Sequence, residues 1–160
     1  MIWGTDNRRS ISGTAVFLNG APVCMRSGQQ ETTSLSTTEA ELVAATQCAQ
    51  DMLYEFRILT SIGLQVALPM TLEVDNGGTV DLANNWSIGG RTRHIEVQQY
   101  FVRELKEANL LQVIWTPGSE MSSDLFTKNL PGAIFEKHAR KFVGEDKYFT
   151  NPQDASGRIG

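Results

Sequence analysis

The chain has 160 residues, one domain at about 100–200 residues per domain, and its 41% hydrophobic and 20% charged content is that of an ordinary globular protein. Fourteen Lys and Arg against 18 Asp and Glu give a net charge of −4, which argues against a protein that coats nucleic acid but leaves room for an enzyme that holds cations with carboxylates. No apolar run is long enough to span a bilayer and no leader is expected, so a non-secreted, intracellular setting follows, with Cys24 and Cys48 as free thiols.

Ser12 to Leu18 is rich in β-branched and aromatic residues, and Asn19-Gly20 after it is a strong hairpin turn signal. Ala21 to Arg26 reads as the returning strand and Gly28 to Ser34 as a loop. Ser36-Thr37-Thr38-Glu39 is a capping box that opens a long helix. Its apolar stripe runs through Ala44, Ala45, Cys48, Ala49, Met52, Phe56 and Leu59, and Gly63 ends it. Met70 to Val74 is a short strand that runs into Asp75-Asn76-Gly77-Gly78. Thr79 to Asn84 reads as a short helix and His94 to Ala108 as an amphipathic one, stopped by Asn109. Leu110 to Trp115 is a nearly continuous apolar run, expected to be a buried strand with Trp115 in the core. Ser123 is the expected cap of a turn over Asp124 to Lys128, and Ala133 to Val143 is a last helix. Residues 1–145 are expected to form the domain and 146–160 a frayed tail. The order is hairpin, helix, strand, helix, helix, strand, helix, a mixed α/β layer fold.

Three carboxylates stand out. Glu41 falls on the apolar stripe, about 200° around the helix from Glu39. A core-facing carboxylate is costly without a compensating cation or donor; the alternative is a stripe-edge residue reaching water. Glu39 already has a structural task as cap partner. Asp75 ends a strand, where ligands of α/β sheets collect, although an Asp before Asn-Gly is also a common turn residue. Asp124 opens a helical turn, where the helix dipole alone would favour it. Together they form an oxygen-donor set suited to Mg²⁺. No zinc-ligand spacing, nucleophile elbow or phosphate-binding Gly loop is present.

Five segments in order resemble the ribonuclease H domain of copia-type LTR retrotransposon polyproteins: Arg8 to Gly13, Ser34 to Leu42, Val74-Asp75-Asn76, Arg93-His94-Ile95 with Tyr100 to Glu104, and Ser123 to Lys128. The resemblance spans about Trp3 to Gly144. It implies a ribonuclease H-like fold, a five-stranded mixed sheet flanked by helices. It also implies cleavage of RNA in RNA–DNA hybrids, downstream of a reverse-transcriptase domain of the same polyprotein, in a cytoplasmic particle or the nucleus. The family's acidic helix residue falls on Glu41, its strand-end Asp on Asp75 and its final Asp on Asp124. The implied cofactor is Mg²⁺, two ions about 4 Å apart, with Mn²⁺ as a substitute.

One departure concerns the start of the chain. The family's first carboxylate lies on its first strand, just before the turn that Trp3-Gly4 resembles, and Met1-Ile2 stands in that place. Asp6 follows the turn. The expectation is a chain lacking most of its first strand and its first catalytic Asp, inactive in isolation. The alternative function is a catalytically silent remnant that binds nucleic acid or another partner. Arg91 and Arg93 are the expected contacts to the hybrid's phosphates, with His94 packing at the helix start. Lys137, His138, Arg140 and Lys141 form a second basic cluster or a solvated helix face. Trp86 lies in a loop and is left open.

Overall fold

The expected order of elements is the order found. The computed structural model describes residues 11–30, 36–84 and 93–143, with backbone only for Arg93 and His94. Strand β1 (Ile11–Leu18) and strand β2 (Ala21–Gln29) form an antiparallel hairpin. Asn19 and Gly20 turn it at φ 50° and 82°, the positive values that this tight turn requires. β2 is longer than expected and holds pairing to Gln29. Opposite Val16 and Phe17 the register shifts from Cys24 to Pro22, so Val23 is extra. A bulge and a proline blunt that outer edge, as edge strands commonly require.

Helix α1 (Thr37–Ser61) starts where the capping box places it, with the Glu39 amide donating to Ser36 Oγ at 3.1 Å. It stops at Gly63, whose φ is 83°. Ala45, Cys48, Ala49 and Met52 bury its stripe against Val16, Leu72 and Val74. On α1, Asp51 is also buried, and it accepts a two-pronged bond from Arg26 on β2: Nε to Oδ2 at 2.7 Å and a terminal nitrogen to Oδ1 at 2.9 Å. The fork ties the hairpin to the helix. Arg26→Ala is therefore expected to lower the urea midpoint because it strands a buried carboxylate. Arg26→Lys should fall between the two, since it keeps the charge and loses the fork.

Strand β3 (Met70–Val74) and strand β4 (Leu111–Trp115) pair in parallel, Met70 opposite Leu111 through Val74 opposite Trp115. The crossover between them carries helix α2 (Gly77–Asn84) and helix α3 (Arg93–Glu107), as a parallel connection demands. Asn109 ends α3 at φ 54°. Two 3₁₀ turns follow β4, Gly118–Glu120 and Ser122–Phe126, and then helix α4 (Gly132–Val143).

Two expectations need correction. The run at Leu110 to Trp115 is no fully buried strand: Leu111 and Val113 are buried while Gln112 and Ile114 face outward, because β4 is covered on one side only, and Trp115, on the covered side, is exposed at the strand's end. Ser123 lies inside a 3₁₀ turn and makes no capping bond. The described strands form two two-stranded sheets, β1–β2 and β3–β4, in a mixed α/β arrangement. The chain's first ten residues and its last seventeen, the expected tail with them, lie outside the described residues. Among the described residues no helix is long and apolar enough to cross a membrane.

Candidate active site

The three singled-out carboxylates come from three different elements and converge at one end of the molecule. Glu41 is in the second turn of α1, Asp75 directly follows β3, and Asp124 is in the second 3₁₀ turn. Local hydrogen bonds explain the meeting of the first two. Asn76 Oδ1 accepts the Thr79 amide at 3.2 Å and so caps α2, while Thr79 Oγ1 donates to the Thr38 carbonyl at 3.3 Å. The end of β3 is thereby fastened to the first turn of α1. Asp124 is brought in by Gly13 of β1. A β-carbon at Gly13 would stand 2.8 Å from the Ser123 carbonyl oxygen and 2.9 Å from Phe126 Cβ, so only glycine lets the 3₁₀ turn approach the strand. Ser27 Oγ, opposite Gly13 in the hairpin, donates to the Phe126 carbonyl at 2.7 Å and holds the turn down.

The electrostatics mark Glu41 as the unusual member. Its carboxyl is pushed up from 4.5 to about 7, first by burial and then by the charge of Asp75, with Asp124 adding to it. Of the two readings of its stripe position, the structure supports the compensated core-facing carboxylate. The compensating cation is Lys128. Its Nζ donates to Asp124 Oδ2 at 2.8 Å and lies 3.8 Å from Asp75 Oδ2. The bond to Asp124 raises the Lys128 pKa, and its charge lowers that of Glu41.

The three carboxylates are hard oxygen donors, the chemistry a divalent cation takes, and burial with the charges of Asp75 and Asp124 raises the Glu41 carboxyl. The placement is not yet closed around an ion. Among the described residues no three His, Cys, Asp or Glu side chains stand close enough to hold a metal, and the Lys128 ammonium lies between two of the carboxylates.

Two residues of the site escaped the sequence reading. In the sequence Lys128 stands only at the end of the Ser123 to Lys128 motif, although its spacing four residues after Asp124 is the signal for a helical ion pair. Trp115 was expected in the core and is 56% exposed instead. Its indole Nε1 donates to the Asp75 carbonyl at 3.0 Å, so the ring stands at the rim of the acidic cluster.

Arg91 and the side chain of Arg93 lie outside the described residues, as do the His94 side chain, Trp86, Trp3 and Asp6. The second basic cluster is no single solvated face. His138 is fully buried, with neither ring nitrogen hydrogen-bonded. Lys137 pairs with Glu120 at 2.6 Å, while Arg140 and Lys141 line a cleft beside β1. Cys24 and Cys48 are free, and burial pushes the Cys48 thiol up to about 12, which leaves it unreactive.

No family profile matches the chain, and no solved structure does. Among curated proteins it is similar to the retrovirus-related Pol polyprotein from transposon TNT 1-94 of Nicotiana tabacum, 33% identical over 131 residues, or 82% of the chain. It is also similar to the corresponding polyproteins from transposons RE2 and RE1 of Arabidopsis thaliana, at 28% and 27% identity over 86% and 85% of the chain. The chain spans about a tenth of the length of these relatives, 10% of the first and 9% of the other two. It is therefore related to one segment of the retrovirus-related Pol polyproteins of plant transposons.

Proposed function

We propose that the chain is the ribonuclease H segment of a copia-type transposon polyprotein, and that within that polyprotein the segment cleaves the RNA strand of RNA–DNA hybrids with Mg²⁺. The observation that carries the reading is the convergence of Glu41, Asp75 and Asp124 at one end of the sheets, with Glu41 half-buried and raised to about 7 by desolvation and then by the charges of Asp75 and Asp124. Three carboxylates packed this way destabilise one another unless cations neutralise them.

Glu41, Asp75 and Asp124 would hold the metal. When bound, it would generate the attacking hydroxide and stabilise the leaving 3′ oxygen. The protein's own share is positioning. α1 and the Asn76 cap fix Glu41 against Asp75. Gly13 and Ser27 fix the turn that carries Asp124. Lys128 supplies positive charge while the carboxylates are unliganded, and it is free to turn toward a phosphate once a metal replaces it. Trp115 offers a flat aromatic surface beside Asp75 for a sugar or base of the substrate.

A second reading has its own support. The ammonium of Lys128 between Asp75 and Asp124 suits a site that works without metal, as a hybrid-binding module of the same polyprotein. A labelled RNA–DNA hybrid separates the two. The cleavage reading expects Mg²⁺-dependent RNA scission by the chain extended upstream with its native polyprotein sequence, falling at least 100-fold in Asp75→Asn and in Asp124→Asn, with hybrid binding little changed. Binding without scission, in this chain and in one extended upstream with its native polyprotein sequence, selects the second reading. Neither binding nor scission ends both.

A further inference from the structure

Lys128 couples to all three carboxylates of the cluster. Its ammonium donates to Asp124 Oδ2 at 2.8 Å and stands 3.8 Å from Asp75 Oδ2. Glu41 feels its charge as well. The two bridged carboxylates belong to different parts of the fold, one directly after β3 and one in the second 3₁₀ turn. An ammonium held between two such oxygens stands where a cation bound by the cluster would stand. The backbone beneath it is fixed, since the Lys128 amide donates to the Asp124 carbonyl at 2.9 Å. Its side chain is 53% exposed, against 14% for Asp124 and 28% for Asp75. The lysine therefore covers the carboxylates from the solvent side, and it can swing away without unpacking the core.

A counter-ion of this kind sorts cations by their charge. It is tethered, and a group on a short arm competes at an effective concentration that a free ion does not match. A free monovalent cation that displaced it would exchange one unit charge for another and would have to overcome the tether. It gains nothing by entering. A divalent cation brings twice the charge to the same oxygens, and Coulomb attraction grows in proportion. The hard carboxylate oxygens favour Mg²⁺ further. The exchange therefore runs in favour of the divalent ion and against the monovalent one.

We propose that Lys128 determines the cation specificity of this site: it fills the place of a monovalent ion, so that the cluster answers to divalent cations alone. The inference rests on the reading of the cluster as a cation site and adds to it the choice among cations. The same competition also weakens the divalent ion. Removal of the Lys128 charge should therefore tighten Mg²⁺ binding and admit potassium. A lysine with only a structural part would give the opposite result, because its loss would loosen the turn that carries Asp124 and weaken every cation.

The test uses the full 160-residue chain at pH 8, wild type beside Lys128→Met. Each is melted in potassium chloride and in N-methylglucamine chloride of equal ionic strength, the second cation being too bulky to enter between carboxylates. Lys128→Met should melt at least about 3 °C higher in potassium, and the wild type should differ by less than about 1 °C. Mg²⁺ titration in N-methylglucamine, followed by thermal shift, should give a midpoint at least tenfold lower in Lys128→Met. Lys128→Arg, which keeps the charge, should behave as the wild type. Amine acylation read by peptide mass spectrometry tests the wild type without any substitution. Mg²⁺ should speed acylation of Lys128 at least threefold, and potassium should not. A potassium response equal in wild type and Lys128→Met, a Mg²⁺ midpoint unchanged or higher in that variant, or acylation unaffected by Mg²⁺ would each overturn the proposal. A chain that shows no Mg²⁺ response in any variant would end the cation reading itself, and the proposal with it.

Discussion

Glu41→Gln is expected to stabilise the folded chain at pH 8 by on the order of 3 kcal/mol and to abolish any cation-dependent activity. The stabilisation follows from the raised carboxyl. In the folded state Glu41 gives up its proton near pH 7, whereas in the unfolded chain it does so near 4.5. Between those values the folded form holds a proton that the unfolded form has lost. Stability is therefore full below about pH 4.5, falls as the pH rises through the window, and stays at its lower level above about 7. A shift of that size corresponds to about 3 kcal/mol at about 1.4 kcal/mol per pH unit. Glutamine has nearly the same shape and no charge to desolvate, so the variant's stability should be flat across the window and should match the wild type below pH 4.5. Urea melts of both proteins from pH 4 to 8 measure this directly. A wild-type curve without a drop between pH 4.5 and 7 would show that Glu41 is not held among Asp75 and Asp124. Millimolar Mg²⁺ adds a second arm. It should raise the wild-type melting temperature at pH 8 and leave Glu41→Gln unmoved, because the cation then relieves a repulsion that only the wild type carries. A site that is destabilised when empty and relieved by its ligand is the usual exchange of stability for function.

Gly13→Val is the second large effect, expected to cost about 1–3 kcal/mol by overpacking and to lower cation affinity at least tenfold. The added β-carbon would sit 2.8 Å from the Ser123 carbonyl oxygen and from Thr127 Cγ2. One of these contacts is backbone and has no rotamer to escape through, so the 3₁₀ turn must retreat and take Asp124 with it. Gly13→Ala should act in the same direction with a smaller stability loss. Equilibrium unfolding gives the stability term, and Mg²⁺ titration at pH 8 followed by thermal shift gives the affinity term. Displacement of a ligand by even 1 Å is enough to cost two orders of magnitude in a site that works by positioning. Loss of stability with unchanged cation binding would mean that the turn does not position Asp124.

Much of the molecule was legible beforehand. Asn19-Gly20, the Ser36 capping box, Gly63 and Asn109 are local devices, and each acts through backbone angles or hydrogen bonds within a few residues. Such features need no tertiary context, and the boundaries they set agree with the structure to within a residue or two, apart from the longer β2. The three candidate carboxylates were also picked out, by their positions at element ends and on an apolar stripe. The errors share one cause. The alternate exposure of β4 depends on which side of the strand is covered, Trp115 on where that cover ends, and His138 on what packs over α4. A window of sequence contains neither neighbour.

By itself, then, the sequence determined the kinds, order and ends of the elements, together with the acidic character of the end where a ligand would bind. Only the tertiary structure decided that Lys128 lies between Asp75 and Asp124, that Glu41 is the one whose pKa is raised, and that Gly13 holds the turn in place. It alone shows β1 and β3 lining one cleft. The reason is physical. Local structure follows from short-range sterics and hydrogen bonds, whereas charge coupling and edge pairing depend on distances between residues 30 to 110 positions apart in the chain, about the separations from Glu41 to Asp75 and from Gly13 to Asp124.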